Sequence, residues 1–304
     1  MRRMCRSIYR DLASESATTV LLSSGRSGST WLGDALQSIP QTRMIFEPFH
    51  PKHGVRELAD NRYQFLQPAD SSPVLAGAFS DLLEGRIKRA WCDQFNPTMQ
   101  FTYRRRLLKE VRINLLLPWL TGNFPNLKYF LLLRHPAAVV QSQLLGGWNL
   151  SSERLHAQQC LDDDELLREL AKYKWPAEGF VSNMIFWAME NLVAVQAAIR
   201  SKALIVFYES LCKDPASELK RIEQYLECAI PESAMAGINR ASWSSSNEVG
   251  DYSLEQKIGK WRGAISTQNL NEMLEILEIT GLKELYGDDL YPNEGGLAKL
   301  GKKL

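Results

Sequence analysis

Residues 18–40 constrain the fold of this chain more than any other segment. A short β-branched and apolar run, residues 18–22, is followed by a loop of small residues, 23–30, with the sequence SSGRSGST. Apolar residues then recur at helical spacing from Trp31 to Ile39, and Pro40 ends the segment. This order predicts a strand, a tight loop and a helix in direct succession.

The loop has the composition of an anion-binding site. Its two glycines let the backbone turn tightly and approach a ligand closely. The helix that follows presents unpaired N–H groups and a partial positive charge at its first turn, which suits phosphate or sulfate. A plain turn without a ligand is the alternative interpretation. The candidate binding residues in this segment are Gly25, Arg26, Ser27, Gly28, Ser29, Thr30 and Trp31.

The loop departs from the one that nucleotide triphosphatases use. In those proteins a lysine and a serine or threonine follow the second glycine. Here Ser29 follows Gly28, and the positive charge precedes that glycine, at Arg26. This spacing speaks against a P-loop kinase or NTPase. That function stays as an alternative, as does a non-catalytic nucleotide-binding protein on the same fold.

A second motif follows the clearest strand of the sequence. Residues 128–133 form a continuous apolar run that fits burial on both faces, and Arg134 stands at its carboxyl end. Pro136 suits the first turn of a helix, and Ser142 comes about two turns later. Ligands of open α/β sheets bind at this edge, so Arg134 and Ser142 can hold a second phosphate. A structural ion pair is an equally good interpretation of Arg134 alone.

Strands alternate with helices along the chain, which predicts an α/β fold. The expected architecture is a P-loop-like parallel sheet flanked by helices on both faces, in three layers. Residues 111–117 fit either a strand or a helix. We expect a single domain over residues 1–304, with an N-terminal arm at 1–17 and a flexible tail at 295–304.

The combination of these motifs resembles the sulfotransferase family that uses 3′-phosphoadenosine 5′-phosphosulfate (PAPS). Residues 24–32 look like the family's 5′-phosphosulfate loop, and residues 132–136 with Ser142 look like its 3′-phosphate motif. Residues 207–211 resemble a third family block, in which the residue matching Tyr208 lies near the adenine. A looser match to the late segment that closes over the nucleotide consists of Lys260, Trp261 and Arg262.

The resemblance implies a donor, a product and a class of acceptor. PAPS would be the donor cosubstrate, and 3′,5′-adenosine bisphosphate (PAP) the product. Arg26 and the sequence Phe46-Glu47-Pro48 are closer to the carbohydrate-type and bacterial members than to the aryl and steroid branch. The acceptor would be a small molecule, a sugar or a lipid-linked glycan with a hydroxyl or amine group, and a carbohydrate or glycolipid is favoured. We expect residues 50–105 and 146–180 on the acceptor side.

Catalysis requires a base for the acceptor and neutralisation of the leaving phosphate. Glu47, at the end of a predicted strand beside the loop, is the first candidate for the base, and His50 and His53 are the alternatives. Lys109 is a candidate to assist the sulfuryl oxygens or the leaving group, although it also fits an ordinary surface lysine. The histidine base of the aryl branch has no counterpart here. No metal is expected, because no acidic cluster is evident.

Composition limits which binding partners and which cellular location we expect. The net charge of +1 gives no global attraction to nucleic acid or membranes. The five cysteines are scattered, which is typical of reduced thiols, and the absence of a long apolar run predicts a cytoplasmic protein without a membrane span. We interpret the arginines at 104–106 as a solvated face, and binding of an anionic acceptor is the alternative. Aromatic residues that fit either an acceptor cleft or the core are Trp91, Phe95, Trp148, Trp175 and Trp187.

Overall fold

The computed structural model describes residues 9–97, 100–150, 165–173, 176, 178–232, 234 and 254–302. Its strands are β1 (Arg10–Asp11), β2 (Thr18–Ser23), β3 (Thr42–Phe46), β4 (Thr102–Tyr103), β5 (Arg105–Glu110), β6 (Lys128–Leu133) and β7 (Leu204–Phe207). The α-helices are α1 (Ser29–Gln37), α2 (Arg56–Ala59), α3 (Pro73–Leu83), α4 (Leu117–Asn123), α5 (Pro136–Leu145), α6 (Glu165–Ala171), α7 (Phe180–Ser201), α8 (Tyr208–Lys213), α9 (Pro215–Leu226), α10 (Leu254–Gly259), α11 (Thr267–Ile279) and α12 (Gly296–Gly301).

Five strands form one parallel sheet in the order β3-β5-β2-β6-β7. The register aligns their carboxyl ends, because Phe46 lies opposite Lys109, Ser23 opposite Leu132, and Leu133 opposite Phe207. The segments that follow these strands therefore meet at one edge of the sheet. That edge is where ligands of parallel α/β sheets bind.

Alternation along the strands divides the core into two layers. In β2, Val20 and Leu22 pack into the cluster under α7, whereas Leu21 packs into the cluster under α1 and α9. In β6, Leu131 and Leu132 divide between the two clusters in the same way. Both faces of the sheet are thus covered by helices, which confirms the predicted three-layer α/β fold. Within the described residues, no helix combines the length and apolar character needed to cross a membrane.

Strand β5, which lies between β3 and β2, was not predicted, and the interpretation of the arginines at 104–106 as a solvated face is wrong for Arg106. Arg104 is exposed and Arg105 is half-buried, but Arg106 is only 2% exposed. Its Nε donates to Asp11 Oδ2 over 2.9 Å, and the same oxygen accepts from Nη1 of buried Arg43 over 2.9 Å. In the sequence these arginines look like a polar surface segment. In the fold, the carboxylate of Asp11, from the N-terminal arm, balances the buried positive charge of Arg106.

At residues 111–117, where the sequence fits either a strand or a helix, the structure has helical turns and no strand. A 3-10 turn, Asn114–Leu116, leads into α4, because Pro118 sets the first turn of that helix.

The prediction of a flexible tail at 295–304 needs correction, since α12 is helical and Leu300 is only 4% exposed. Burial of its apolar side provides the reason for this order.

Candidate active site

The loop between β2 and α1 has an open helix start and a backbone that requires glycine. Gly28 takes the left-handed conformation, with φ of 89°, and caps α1 with no side-chain hydrogen bond. A Cβ on Gly28 would lie 2.6 Å from the Tyr208 ring, and one on Gly25 would lie 2.2 Å from the Trp148 ring. The buried hydroxyl of Ser27 has no hydrogen-bond partner in the described structure. These features leave N–H and O–H donors available for an anion.

The two motifs predicted to hold separate phosphates meet at this loop. Arg26 Nε donates to Ser142 Oγ over 3.0 Å, and Arg134 Nη1 donates to the carbonyl of Arg26 over 3.0 Å. The Arg134 guanidinium also lies 4.4 Å from the centroid of the Tyr208 ring. Burial first, and then the nearby charge of Arg134, lower the pKa of Arg26. Two guanidinium groups held this close favour an anion beside them.

The late segment predicted to lie near the nucleotide is docked on the second motif. Trp261 is buried and stacks on His135 with ring centroids 4.1 Å apart and an interplanar angle of 12°. Gln141 donates to the carbonyl of Trp261 over 3.3 Å. Lys260 and Arg262, on either side of Trp261, are exposed. Burial lowers the pKa of His135 to about 3, so the ring that supports Trp261 is neutral at physiological pH.

The candidate base, Glu47, follows β3 at the same carboxyl edge of the sheet and lies in a buried cluster of charged side chains. Glu47 is 9% exposed and accepts hydrogen bonds from Lys109 Nζ at 2.6 Å and from Arg112 Nη1 at 2.9 Å. Burial alone would raise the pKa of Glu47, but Lys109 and Arg112 lower it overall. Lys109 is only 2% exposed, so its interpretation as a surface lysine is wrong. Glu47 is therefore ionised and held in place at neutral pH.

His50, the alternative base, lies beside this cluster but faces partly toward solvent. Its ring stacks on that of His53, with centroids 4.8 Å apart, and lies 4.6 Å from the Trp91 ring. Burial, followed by the positive charge of Arg112, lowers the pKa of His50 below its usual 6.5. Trp91 donates its indole N–H to the carbonyl of Glu47 over 3.1 Å, which ties this aromatic group to the candidate base.

The other aromatic candidates divide between the core and the site. Trp187 is 2% exposed and belongs to the core, and Phe95 packs on Phe46 with ring centroids 4.7 Å apart. Trp148 contacts the anion-binding loop. Trp175 lies outside the described residues.

Two groups at the site were not identified from the sequence. The sequence gives no signal for Arg112, because this residue follows a strand, β5, that the pattern does not reveal. Glu190, on α7, accepts a hydrogen bond from Ser24 Oγ over 2.5 Å, and Asn191 donates to the same hydroxyl over 2.8 Å. The sequence does contain a signal for Glu190, because an acidic residue in the long apolar run of 180–201 is unusual for a core helix.

The fold and the site define an α/β protein built to bind a phosphorylated or sulfated ligand at the carboxyl edge of its sheet. Residues 17–253 match the family described as the sulfotransferase domain. The chain belongs to that family, and its catalysed reaction is sulfuryl transfer. No curated protein sequence matches the chain significantly.

Solved structures give distant likenesses. Mouse sulfotransferase SULT7A1 complexed with PAP is 15% identical with a TM-score of 0.48, and the match covers 96% of this chain and 91% of that one. The sulfotransferase domain of the Synechococcus PCC 7002 olefin synthase is 17% identical with a TM-score of 0.46, over 90% of this chain and 94% of that one. Retinol dehydratase in complex with androsterone and inactive cofactor PAP is 14% identical with a TM-score of 0.46, over 91% and 83%.

Proposed function

We propose that this protein moves a sulfuryl group from PAPS to a hydroxyl or amine of an acceptor and releases PAP. The observation that carries the proposal is the meeting of two arginines and a buried carboxylate at one sheet edge. Arg26 and Arg134 lie together at the loop, and Glu47 lies at the end of β3, two strands away in the sheet. The family assignment favours this reaction over phosphoryl transfer.

The loop provides what a phosphosulfate group needs. Uncapped N–H groups at the start of α1, with the orphaned hydroxyl of Ser27, suit the 5′-phosphate that becomes the leaving group. Arg26 adds a positive charge that stabilises negative charge developing on that phosphate. We assign Arg134 and Ser142 to the 3′-phosphate, since an arginine forms charge-assisted and often bidentate bonds to phosphate. Tyr208 and the segment around Trp261 would border the adenosine.

The Glu47 cluster suits activation of an acceptor. PAPS supplies the sulfuryl group when bound. Glu47 is ionised and can accept a proton from the acceptor hydroxyl, and Arg112 holds its second oxygen in position. Lys109, within 2.6 Å of Glu47, can also orient the oxygens of an anionic group that enters the site. A shift of Lys109 toward such an anion would raise the pKa of Glu47 and make it a stronger base.

We favour a carbohydrate or glycolipid acceptor, on the resemblance of the Glu47 segment to carbohydrate-type members. Residues 50–105 and 146–180 are proposed to contact the acceptor within a single domain. Their described parts include two groups near the site. The His50, His53 and Trp91 rings pack together beside Glu47, and Trp148 lies against the loop.

Binding of PAP tests the donor site. Thermal unfolding would be followed with PAP, ADP and ATP, each with and without magnesium. A PAP concentration of ~100 Kd raises the free energy of unfolding by about 2.7 kcal/mol. We expect a magnesium-independent shift that prefers PAP and disappears in Arg26→Ala and Arg134→Ala. Arg104→Ala is the matched control, because Arg104 is exposed near the opposite end of the sheet. A shift seen only with ATP and magnesium would overturn the donor assignment.

Rate measurements then test the base. Glu47→Gln keeps the shape of the side chain but cannot accept a proton at neutral pH, so we expect turnover of PAPS with an acceptor to fall roughly 10²–10⁴-fold, with PAP binding retained. The pH–rate profile separates Glu47 from His50. A base at Glu47 places the acid limb in the carboxyl range, whereas a base at His50 places it nearer to the ordinary histidine pKa of 6.5. Loss of activity in His50→Asn with Glu47→Gln still active would reassign the base.

A further inference from the structure

Trp148 lies close to both the anion-binding loop and Arg112, the residue that holds the candidate base. The six-membered part of its indole packs against Gly25, where an added Cβ would lie 2.2 Å from Cζ3 and 2.9 Å from Cη2. The guanidinium carbon of Arg112 also lies over this indole, 5.9 Å from the centroid of the Trp148 ring. The indole thus links two parts of the site that the sequence separates widely.

A hydrogen-bond network fixes the position of Trp148. Its backbone N–H donates to the carbonyl of Gln143 over 2.9 Å, and its carbonyl accepts from Asn183 Nδ2 over 2.8 Å. Gln143 accepts from the same Asn183 nitrogen over 3.0 Å and donates to the carbonyl of Gly25 over 3.1 Å. The buried amides of α5 and α7 therefore place the indole against the loop, although the ring itself is only half-buried.

We propose that Trp148 closes the space between the donor loop and Glu47 to water, so that the sulfuryl group passes to the acceptor and not to solvent. The inference rests on the proposed function. A large apolar ring beside the reacting groups excludes water, and exclusion of water suppresses hydrolysis of an activated donor. A cation–π contact with Arg112 keeps the ring on the side of the base. Glycine is required at position 25 because the indole occupies the space of a Cβ.

Hydrolysis of PAPS without any acceptor tests the proposal. In that side reaction the bond between sulfur and the bridging phosphate oxygen breaks, and a bond from sulfur to a water oxygen forms. Glu47 or solvent takes the protons, and PAP and sulfate are released. We expect Trp148→Ala to raise this hydrolysis rate roughly tenfold, because water gains access to the site, and Trp148→Phe to raise it less. The KM for PAPS and the Kd for PAP should stay within about threefold of the unaltered protein.

Leu145→Ala is the matched control, because Leu145 is 89% exposed at the end of α5 and should leave hydrolysis unchanged. Hydrolysis by Trp148→Ala at the unaltered rate, with PAP still bound, would overturn the proposal. Loss of PAP binding in both Trp148 variants would also overturn it, since the ring would then only support the loop. Failure of the unaltered protein to bind PAP would instead refute the donor assignment, and this inference with it.

Discussion

Glu190 makes the stability of this protein depend on pH in a way that one substitution should remove. The carboxyl group lies on α7, is 2% exposed, and has one described partner at Oε1, the hydroxyl of Ser24. Its other oxygen has no hydrogen-bond partner in the described structure. Burial raises the pKa of Glu190 from 4.5 to about 8, although the hydrogen bond from Ser24 opposes part of that rise. The group is therefore neutral in the folded protein at pH 7.

The size of the effect follows from the two pKa values. The unfolded chain loses the Glu190 proton near pH 4.5, whereas the folded protein keeps it until about pH 8. Between these values the folded state binds one proton more, so its free energy of unfolding falls as pH rises. At about 1.4 kcal/mol for each pKa unit, the total loss is on the order of 5 kcal/mol. Below pH 4.5 the contribution is fully present, and above about pH 8 it is gone.

Glu190→Gln carries no ionisable group and should escape this loss. Urea unfolding of both proteins at about pH 5 and about pH 8 gives the difference in their free energies of unfolding at each pH. We expect this difference to move in favour of Glu190→Gln by several kcal/mol between the two conditions. Glu57→Gln, at an exposed site on α2, should show no such change. A difference that is the same at both pH values would refute the assignment of a neutral buried carboxyl.

Two further predictions concern the loop and the core. Gly28→Ala places a Cβ at φ of 89° and 2.6 Å from the Tyr208 ring, so we expect PAP affinity measured by calorimetry to fall at least about tenfold. Gly77→Ala, where an added Cβ meets nothing within 4 Å, should leave that affinity unchanged. Asp11→Asn weakens the compensation of two buried arginines and should cost about 3–5 kcal/mol in urea unfolding. Asp60→Asn, in an exposed pair, should cost less than about 1 kcal/mol, and equal losses would contradict the burial argument.

Much of the fold could be predicted from local sequence patterns. The strand at 128–133 could be predicted with its bounds because a continuous apolar run between a loop and a proline is typical of a buried strand. The helix of residues 180–201 was predicted to within one residue for a similar reason. In contrast, β5 was missed, since its arginines and lysine gave it the appearance of a surface segment.

The sequence by itself determined the fold class, the order of the binding motifs and the family, because each of these depends on short stretches of neighbouring residues. Only the tertiary structure decided which charges are paired. Lys109 meets Glu47 across 62 positions, and Arg106 meets Asp11 across 95. Such pairs form because burial in a low-dielectric interior makes an unpaired charge costly. A local sequence pattern cannot predict which distant carboxylate will contact a given lysine or arginine in the folded chain.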